Sequence, residues 1–173
     1  PGLGPKLTAA VLAHFGSAAA VRNASARQFE AVPLIGPKLA HKFADVLRSV
    51  DITAELRLLS EHGVRVIRIG DPEYPAALAG ISDAPPLLYL RGELAPADAN
   101  SVAIVGSRKC TNYGLRVAER MAGGLARAGW TVVSGLARGI DGAAHRGALD
   151  AGGRTIAVLA NGLSTVYPPE HAG

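Results

Sequence analysis

One cysteine, one methionine, one tryptophan and three phenylalanines are all that this chain of 173 residues contains of those four types. The lone Cys110 excludes an internal disulfide and any Cys-rich metal cluster, and is consistent with a reducing interior. Scarce aromatics exclude an aromatic-rich β-sandwich, so the core is built from Ala, Val, Leu and Ile, which suits helices packed on a parallel sheet. No run of about 18 apolar residues appears, and no basic stretch precedes an apolar one, so neither membrane insertion nor export is indicated. His14, His41, His62 and His171 lack metal-ligand spacing. The chain opens on Pro1 rather than a methionine.

Charge is present and leans basic. The formal net charge is +4, and 14 of the 18 basic residues are arginine. Arginine's planar fork suits phosphate oxygens and base stacking, so the balance permits a polyanionic partner without establishing one.

The first half reads as helical. Pro1-Gly2-Leu3-Gly4-Pro5-Lys6-Leu7 recurs as Pro33-Leu34-Ile35-Gly36-Pro37-Lys38-Leu39, and each copy leads into an apolar stretch, Leu7 to Phe15 and Leu39 to Val50. Proline is tolerated at a first helical position, and the glycine before it allows a tight hairpin. Such a hairpin leaves helix N–H groups free for a phosphate oxygen. The pair resembles a helix-hairpin-helix tandem, with Gly4, Lys6, Gly36 and Lys38 beside the phosphate; the alternative is a packing domain whose hairpins only turn corners. A further helix is expected over Asp51 to His62, with Asp51 as N-cap and Gly63 closing it. The domain boundary is placed near residue 62. Val64 to Ile69 then alternates as an edge strand, and Leu87 to Gly92 follows a Pro-rich passage.

Three apolar runs in the second half end in glycine loops: Val102 to Val105 before Gly106, Thr131 to Ser134 before Gly135, and Thr155 to Leu159 before Asn161-Gly162. Runs of this kind predict strands of a parallel sheet covered on both faces. Helices are expected from about Gly114 to Ala128 and from Asp141 to Leu149, giving a Rossmann-like, doubly wound, mostly parallel α/β domain. Ligands of such sheets bind at the C-terminal strand ends. There the loops gather Ser107, Arg108, Lys109, Arg138 and Asn161, and glycine lets backbone N–H groups approach an anion.

The ligand is not a dinucleotide or a triphosphate by any fingerprint. Gly106 is followed by no glycine until Gly114, no acidic residue closes the second strand, and no Walker pattern occurs. Arg108 forks onto a phosphate or stacks on a base, Ser107 donates to a phosphate or merely shapes a turn, and Tyr113 either offers a stacking face or packs on the neighbouring strand. Asp141 and His145, spaced i,i+4, invite a catalytic reading, yet no G-x-S-x-G elbow accompanies them. The simpler reading makes Asp141 an N-cap and leaves His145 packing or bonding a loop carbonyl.

Gly106-Ser107-Arg108-x-x-Thr111-x-Tyr113-Gly114 resembles the signature loop of the DNA-processing protein A (Smf) family. Ser134-Gly135-Leu136-Ala137-x-Gly139-Ile140-Asp141-x-x-Ala144-His145 is similar to its second motif, and Thr155 to Leu159 with Gly162 and Tyr167-Pro168 to its third. Upstream, Tyr74-Pro75, Asp83, Pro85-Pro86 and Leu88-Tyr89 follow the same family, so the likeness runs from about residue 72 onward. The resemblance implies a non-enzymatic, cytoplasmic homodimer without cofactor or metal. It would protect incoming single-stranded DNA and load a RecA-type recombinase while displacing single-strand-binding protein. It implies that Gly106, Ser107 and Arg108 line the DNA pocket; with Lys109, Thr111 and Tyr113 on the same loop, and Gly135, Arg138, Gly139, Asn161 and Gly162 on its neighbours, they make up the expected DNA site. Ala160-Asn161-Gly162 and His171 depart from the usual pattern, and the family's fold is expected to continue past Gly173. The competing enzyme, a Rossmann-like nucleotide phosphoribohydrolase, needs a P-G-G-x-G-T-x-x-E loop that is absent.

Overall fold

The computed structural model describes residues 4–171, and they divide into two compact units, Pro1–Leu90 and Arg91–Gly173. Part of the first Pro-Gly hairpin, residues 1–3, lies outside the described residues.

In the first unit five helices come in succession: α1 (Pro5–Phe15), α2 (Ala18–Asn23), α3 (Ala26–Glu30), α4 (Pro37–Ser49) and α5 (Thr53–Glu61). The two repeat copies do start helices, with Gly4 and Gly36 as N-caps and a proline in the first turn of each. α1 stops at Gly16, which takes the left-handed conformation (φ 76°) and donates its N–H to Leu12 at 2.8 Å. α2 and α3, not individually expected, begin at Ser17 and Ser25, whose hydroxyls accept N–H groups of Ala20 and Gln28. Asp51 is not the N-cap of α5. It stands one residue earlier and accepts the Thr53 N–H at 2.8 Å. All three phenylalanines of the chain converge here: Phe29 is fully buried, with ring centroids 5.2 Å from Phe15 and 6.0 Å from Phe43. Val11, Val32, Ile35 and Ala40 close the cluster, so the sparse aromatics are concentrated where a small unit gains most from burying them. The unit ends with β1 (Val64–Arg68), the single turn α6 (Ala76–Ala79) and β2 (Leu87–Arg91), the strands pairing as a two-stranded sheet.

The second unit is strand-helix-strand twice over: β3 (Ser101–Ala103), α7 (Asn112–Arg127), β4 (Thr131–Ser134), α8 (Ile140–Asp150) and β5 (Thr155–Ala157). The sheet runs β3-β4-β5, all parallel, with Val102 opposite Val132 and Val133 opposite Ile156. Because the strands neighbour one another in chain order, both crossover helices fall together and pack on each other over Ala122, Ala126, Val132, Ala144 and Ala148. Small side chains permit this close approach: a Cβ on Gly123 would stand 3.0 Å from the Gly147 carbonyl oxygen.

The apolar runs predict strands covered on both faces; β4 is, with Thr131, Val132 and Ser134 buried, whereas the outer strands stay partly open, with Ser101 and Ala103 of β3 and Ala157 of β5 exposed. An apolar run records what each residue is made of, not which element covers it, so periodicity alone cannot separate one-sided from two-sided burial.

Candidate nucleic-acid interface

The C-terminal ends of β3 and β4 carry two loops that lock into each other. The first runs from Ile104 to Thr111. Its Ser107 hydroxyl accepts the Lys109 N–H at 3.1 Å and reaches the Lys109 carbonyl at 2.9 Å, which folds Ser107-Arg108-Lys109 into a tight turn. Thr111 ends the loop as the N-cap of α7, its hydroxyl accepting the Gly114 N–H at 3.1 Å. The second loop, Gly135 to Gly139, leads into α8, and Ile140 donates its N–H to the Ser107 carbonyl at 3.2 Å.

Glycine here serves packing. A Cβ on Gly106 would come within 2.7 Å of the Ile140 side chain, and one on Gly139, already at φ 80°, within 3.0 Å of Arg108 Cα. A Cβ on Gly135 would lie 2.8 Å from an Asp141 carboxylate oxygen. The expected opening of backbone N–H groups toward an anion does not hold at Gly106, whose N–H donates to Asp141 Oδ1 at 3.3 Å. Three first-turn N–H groups of α8 are also engaged: besides Ile140, Gly142 donates to the Ala137 carbonyl at 3.0 Å and Ala143 to the Gly139 carbonyl at 3.1 Å. The loop therefore presents side chains. Arg108 and Lys109 are exposed and, among the described residues, take part in no ion pair. Tyr113 is 71% exposed, so the packing role open to it in the sequence is not the one it takes.

Asp141 and His145 are supports. Asp141 sits in the first turn of α8 rather than capping it; Gly139 is the cap, and the buried carboxylate lies beneath the Gly106 loop. His145, also buried, bonds no loop carbonyl: its Nε2 accepts the Leu136 N–H at 3.2 Å, and its Nδ1 lies 2.7 Å from Thr155 Oγ1. Since Thr155 Oγ1 donates to the Val132 carbonyl at 2.7 Å, the imidazole is neutral with its proton on Nδ1. Burial pushes the His145 pKa down, which favours that neutral form, while the Asp141 carboxylate pulls the other way. The partner of a loop carbonyl is His171, whose Nδ1 lies 2.9 Å from the Leu136 oxygen. Two imidazoles thus grip Leu136, held in the left-handed region at φ 56°.

Arg138 is exposed but not free. Its Nε and Nη2 donate to the two oxygens of Glu170 at 2.6 and 3.2 Å, and its guanidinium carbon lies 5.6 Å from the Tyr167 ring centre. The fork holds the Glu170 carboxyl at about 2, well below its ordinary value. Asn161 turns inward on its own loop, its Nδ2 donating to the carbonyls of Gly162 at 3.1 Å and Thr165 at 2.8 Å. Gly162 is exposed beside it. In the first unit Gly4, Lys6, Gly36 and Lys38 are all exposed at the starts of α1 and α4. Sequence reasoning missed Glu170 and Tyr167 as partners of Arg138, separated from it by about thirty residues with no local signal.

Among the described residues no helix is long and apolar enough to cross a membrane. Two family models match the chain: DNA recombination-mediator protein A over residues 65–173, and a SAM-like helix-hairpin-helix tandem over residues 1–49. The DNA processing protein DprA of Bacillus subtilis is 39% identical over 112 residues, 64% of this chain and 38% of the relative. Protein Smf of Synechocystis is 33% identical over 174 residues, 98% of this chain and 44% of the relative. The chain thus spans less than half the length of these curated relatives. The X-ray structure of DNA processing protein A from Streptococcus pneumoniae superposes with a TM-score of 0.77 at 33% identity, covering 99% of this chain and 58% of that one. The Helicobacter pylori protein, solved for its single-stranded DNA binding mode, gives 0.54 at 29% identity, covering 64% of this chain and 49% of that one. A glycine-locked loop pair on a parallel sheet, a family model spanning that sheet and a helical tandem ahead of it lead to one conclusion: the chain belongs to the DNA recombination-mediator protein A family.

Proposed function

We propose that this chain binds single-stranded DNA without catalysis, through the Gly106–Tyr113 loop at the C-terminal edge of β3. The observation that carries the reading is Arg108, an exposed guanidinium with no ion-pair partner among the described residues, on a turn rigidly backed by α8. A phosphate supplies the partner that an unpaired arginine fork lacks, and Lys109 adds a second charge. Tyr113 presents its ring to a base. Gly106, Gly135 and Gly139 let the loops close, Ser107 and Thr111 hold the turn and the helix start, and Arg138, Asn161 and Gly162 form the adjoining wall. Asp141 and His145, both satisfied within the fold, serve as scaffold.

The whole protein's role follows the same reading: it shields incoming single strands and helps load a RecA-type recombinase in place of single-strand-binding protein, as a homodimer in the cytoplasm. Residues 1–62 form the helical SAM-like domain, with Gly4, Lys6, Gly36 and Lys38 as auxiliary phosphate contacts, and residues 63–173 the DNA-binding domain. Support comes from the family membership and from the single-strand binding that describes the Helicobacter pylori protein.

The test is fluorescence anisotropy with labelled single-stranded and duplex oligonucleotides. Affinity for the single strand is expected to fall steeply with salt, and Arg108→Ala to weaken it by about 1–3 kcal/mol. Equal binding by wild type and variant refutes the site, and turnover of AMP to adenine would replace the reading with the phosphoribohydrolase.

A further inference from the structure

The outward face of α7 carries a charge pattern that the Gly106–Tyr113 loop does not use. Ala118, Ala122, Gly123 and Ala126 are the buried residues of this helix. With about 100° of turn per residue, Tyr113, Arg116, Arg120, Gly124 and Arg127 fall within an arc of about 80°. All five are exposed except that nothing at all projects from Gly124, where an added Cβ would meet no atom within 4 Å. At about 1.5 Å of rise per residue the row extends roughly 21 Å from Tyr113 to Arg127.

Three arginines in a row on one helix face repel one another unless something neutralises them. The only acid in α7 is Glu119, and it turns aside to Arg146 of α8, 3.3 Å away. Among the described residues Arg116, Arg120 and Arg127 belong to no ion pair. Six other arginines pair with carboxylates, and Arg22, Arg27, Arg48, Arg91 and Arg108 join no ion pair among the described residues either, but α7 is the helix that lines three unpaired arginines along one face. Arg127 Nη1 lies 3.5 Å from where a Gly123 Cβ would be, so its guanidinium rests at the margin of the row that borders α8. The ligand that fits is linear, polyanionic and flexible, with an aromatic partner wanted only at one end.

We propose that a single strand held at the Gly106–Tyr113 loop continues down the outer face of α7, with Tyr113 stacking a base at the junction and Arg116, Arg120 and Arg127 neutralising successive phosphates. The flat step at Gly124 gives the strand room between the last two arginines. The row is long enough for about six phosphates of a stacked strand at ~3.4 Å each, fewer when the strand is stretched. This inference rests on the single-strand reading of the loop and lengthens its site.

The experiment measures anisotropy on the full chain with two labelled oligo-dT probes, one of about 5 nucleotides and one of about 20, across a salt series. The triple variant Arg116→Ala, Arg120→Ala, Arg127→Ala is compared with Arg108→Ala. Alanine on an exposed helix face keeps the helix, which circular dichroism verifies. The triple variant is expected to bind the long probe ~10-fold more weakly, with a log–log salt slope shallower by about 2, and the short probe within about 2-fold of wild type. Arg108→Ala is expected to weaken both probes. A triple variant with unchanged affinity and slope on the long probe overturns the stripe and leaves the loop reading standing. Equal weakening on both probes overturns it too, because the loss is then general electrostatics rather than a path for the strand. If neither variant weakens binding, the loop reading and the stripe fall together. A second triple variant with lysine at the three positions is expected to recover the long-probe affinity.

Discussion

Gly147→Ala tests the packing that sets the two loops against each other. In α8, a Cβ at this position would stand 2.7 Å from Glu119 Cα and 2.8 Å from its carbonyl carbon, and closer still to the carbonyl oxygen. Carbon–carbon contact is comfortable only near 3.5–4.0 Å, so α8 must move off α7 by about 1 Å. The obstacle is backbone, which cannot swing aside as a side chain would. Overpacking of this kind costs about 1–3 kcal/mol, and a backbone obstacle belongs at the upper end. Alanine returns up to about 1 kcal/mol through helix propensity, leaving a net loss of about 2 kcal/mol. Gly124→Ala, in the facing helix but with no atom within 4 Å, keeps the propensity gain and meets no obstacle. The two substitutions, chemically identical, are therefore expected to move stability in opposite directions. Trp130, the only tryptophan and set just after α7, reports this unit alone by fluorescence. Thermal unfolding should lower Tm by roughly 8–16 °C for Gly147→Ala and raise it by up to about 8 °C for Gly124→Ala, at about 4–8 °C per kcal/mol for a unit of this size. A Gly147→Ala protein as stable as wild type, or both variants shifting the same way, would refute the argument.

Asp98 anchors the N-terminal edge of the sheet. Arg154 donates to its two oxygens at 2.6 and 2.9 Å, Thr131 adds a hydroxyl at 2.8 Å and the Ala95 N–H a bond at 2.7 Å, which together hold the carboxyl at about 2. A folded pKa below the unfolded 3.8 means this stability is fully present above about pH 4 and is lost as pH falls toward 2. It amounts to about 1–2 kcal/mol, since Arg154 is partly exposed; Asp98→Asn should remove that acid-side slope in urea unfolding, and an unchanged slope would count against the network. At the loop rim, Glu170→Gln releases the fork of Arg138. Single-strand affinity is expected to rise ~3–10-fold, and not at all in an Arg138→Ala background; a gain of the same size in that background would show that Arg138 does not take the phosphate.

Local chemistry made several elements legible before any coordinates. Gly4-Pro5 and Gly36-Pro37 read as helix starts because cap geometry and the fixed φ of proline are properties of neighbouring residues. Thr131 to Ser134 read as a strand with its observed bounds, and the second helical pattern located α8 within one residue at each end. The outer strands came out shorter than their apolar runs, β3 ending at Ala103 and β5 at Ala157, because ladder bonds need a partner strand at every step. The i,i+4 spacing of Asp141 and His145 was visible, yet spacing on a helix says nothing about which foreign loop each side chain meets.

What the sequence by itself determined is the inventory: a basic, arginine-rich chain, a repeated Gly-Pro helix start, three strands each followed by glycine, and Arg108 on a turn at a strand's end. Tertiary structure alone decided how those parts are employed. It set the Asp141 carboxylate against a Gly106 N–H 35 residues away, gave Arg138 to Glu170 across 32 residues, and left Arg108, Lys109 and the α7 arginines without an ion pair among the described residues. The reason is physical. Propensity, capping and period act between residues a few positions apart, whereas a charge finds or lacks its partner according to which loops the parallel topology brings to the same edge of the sheet.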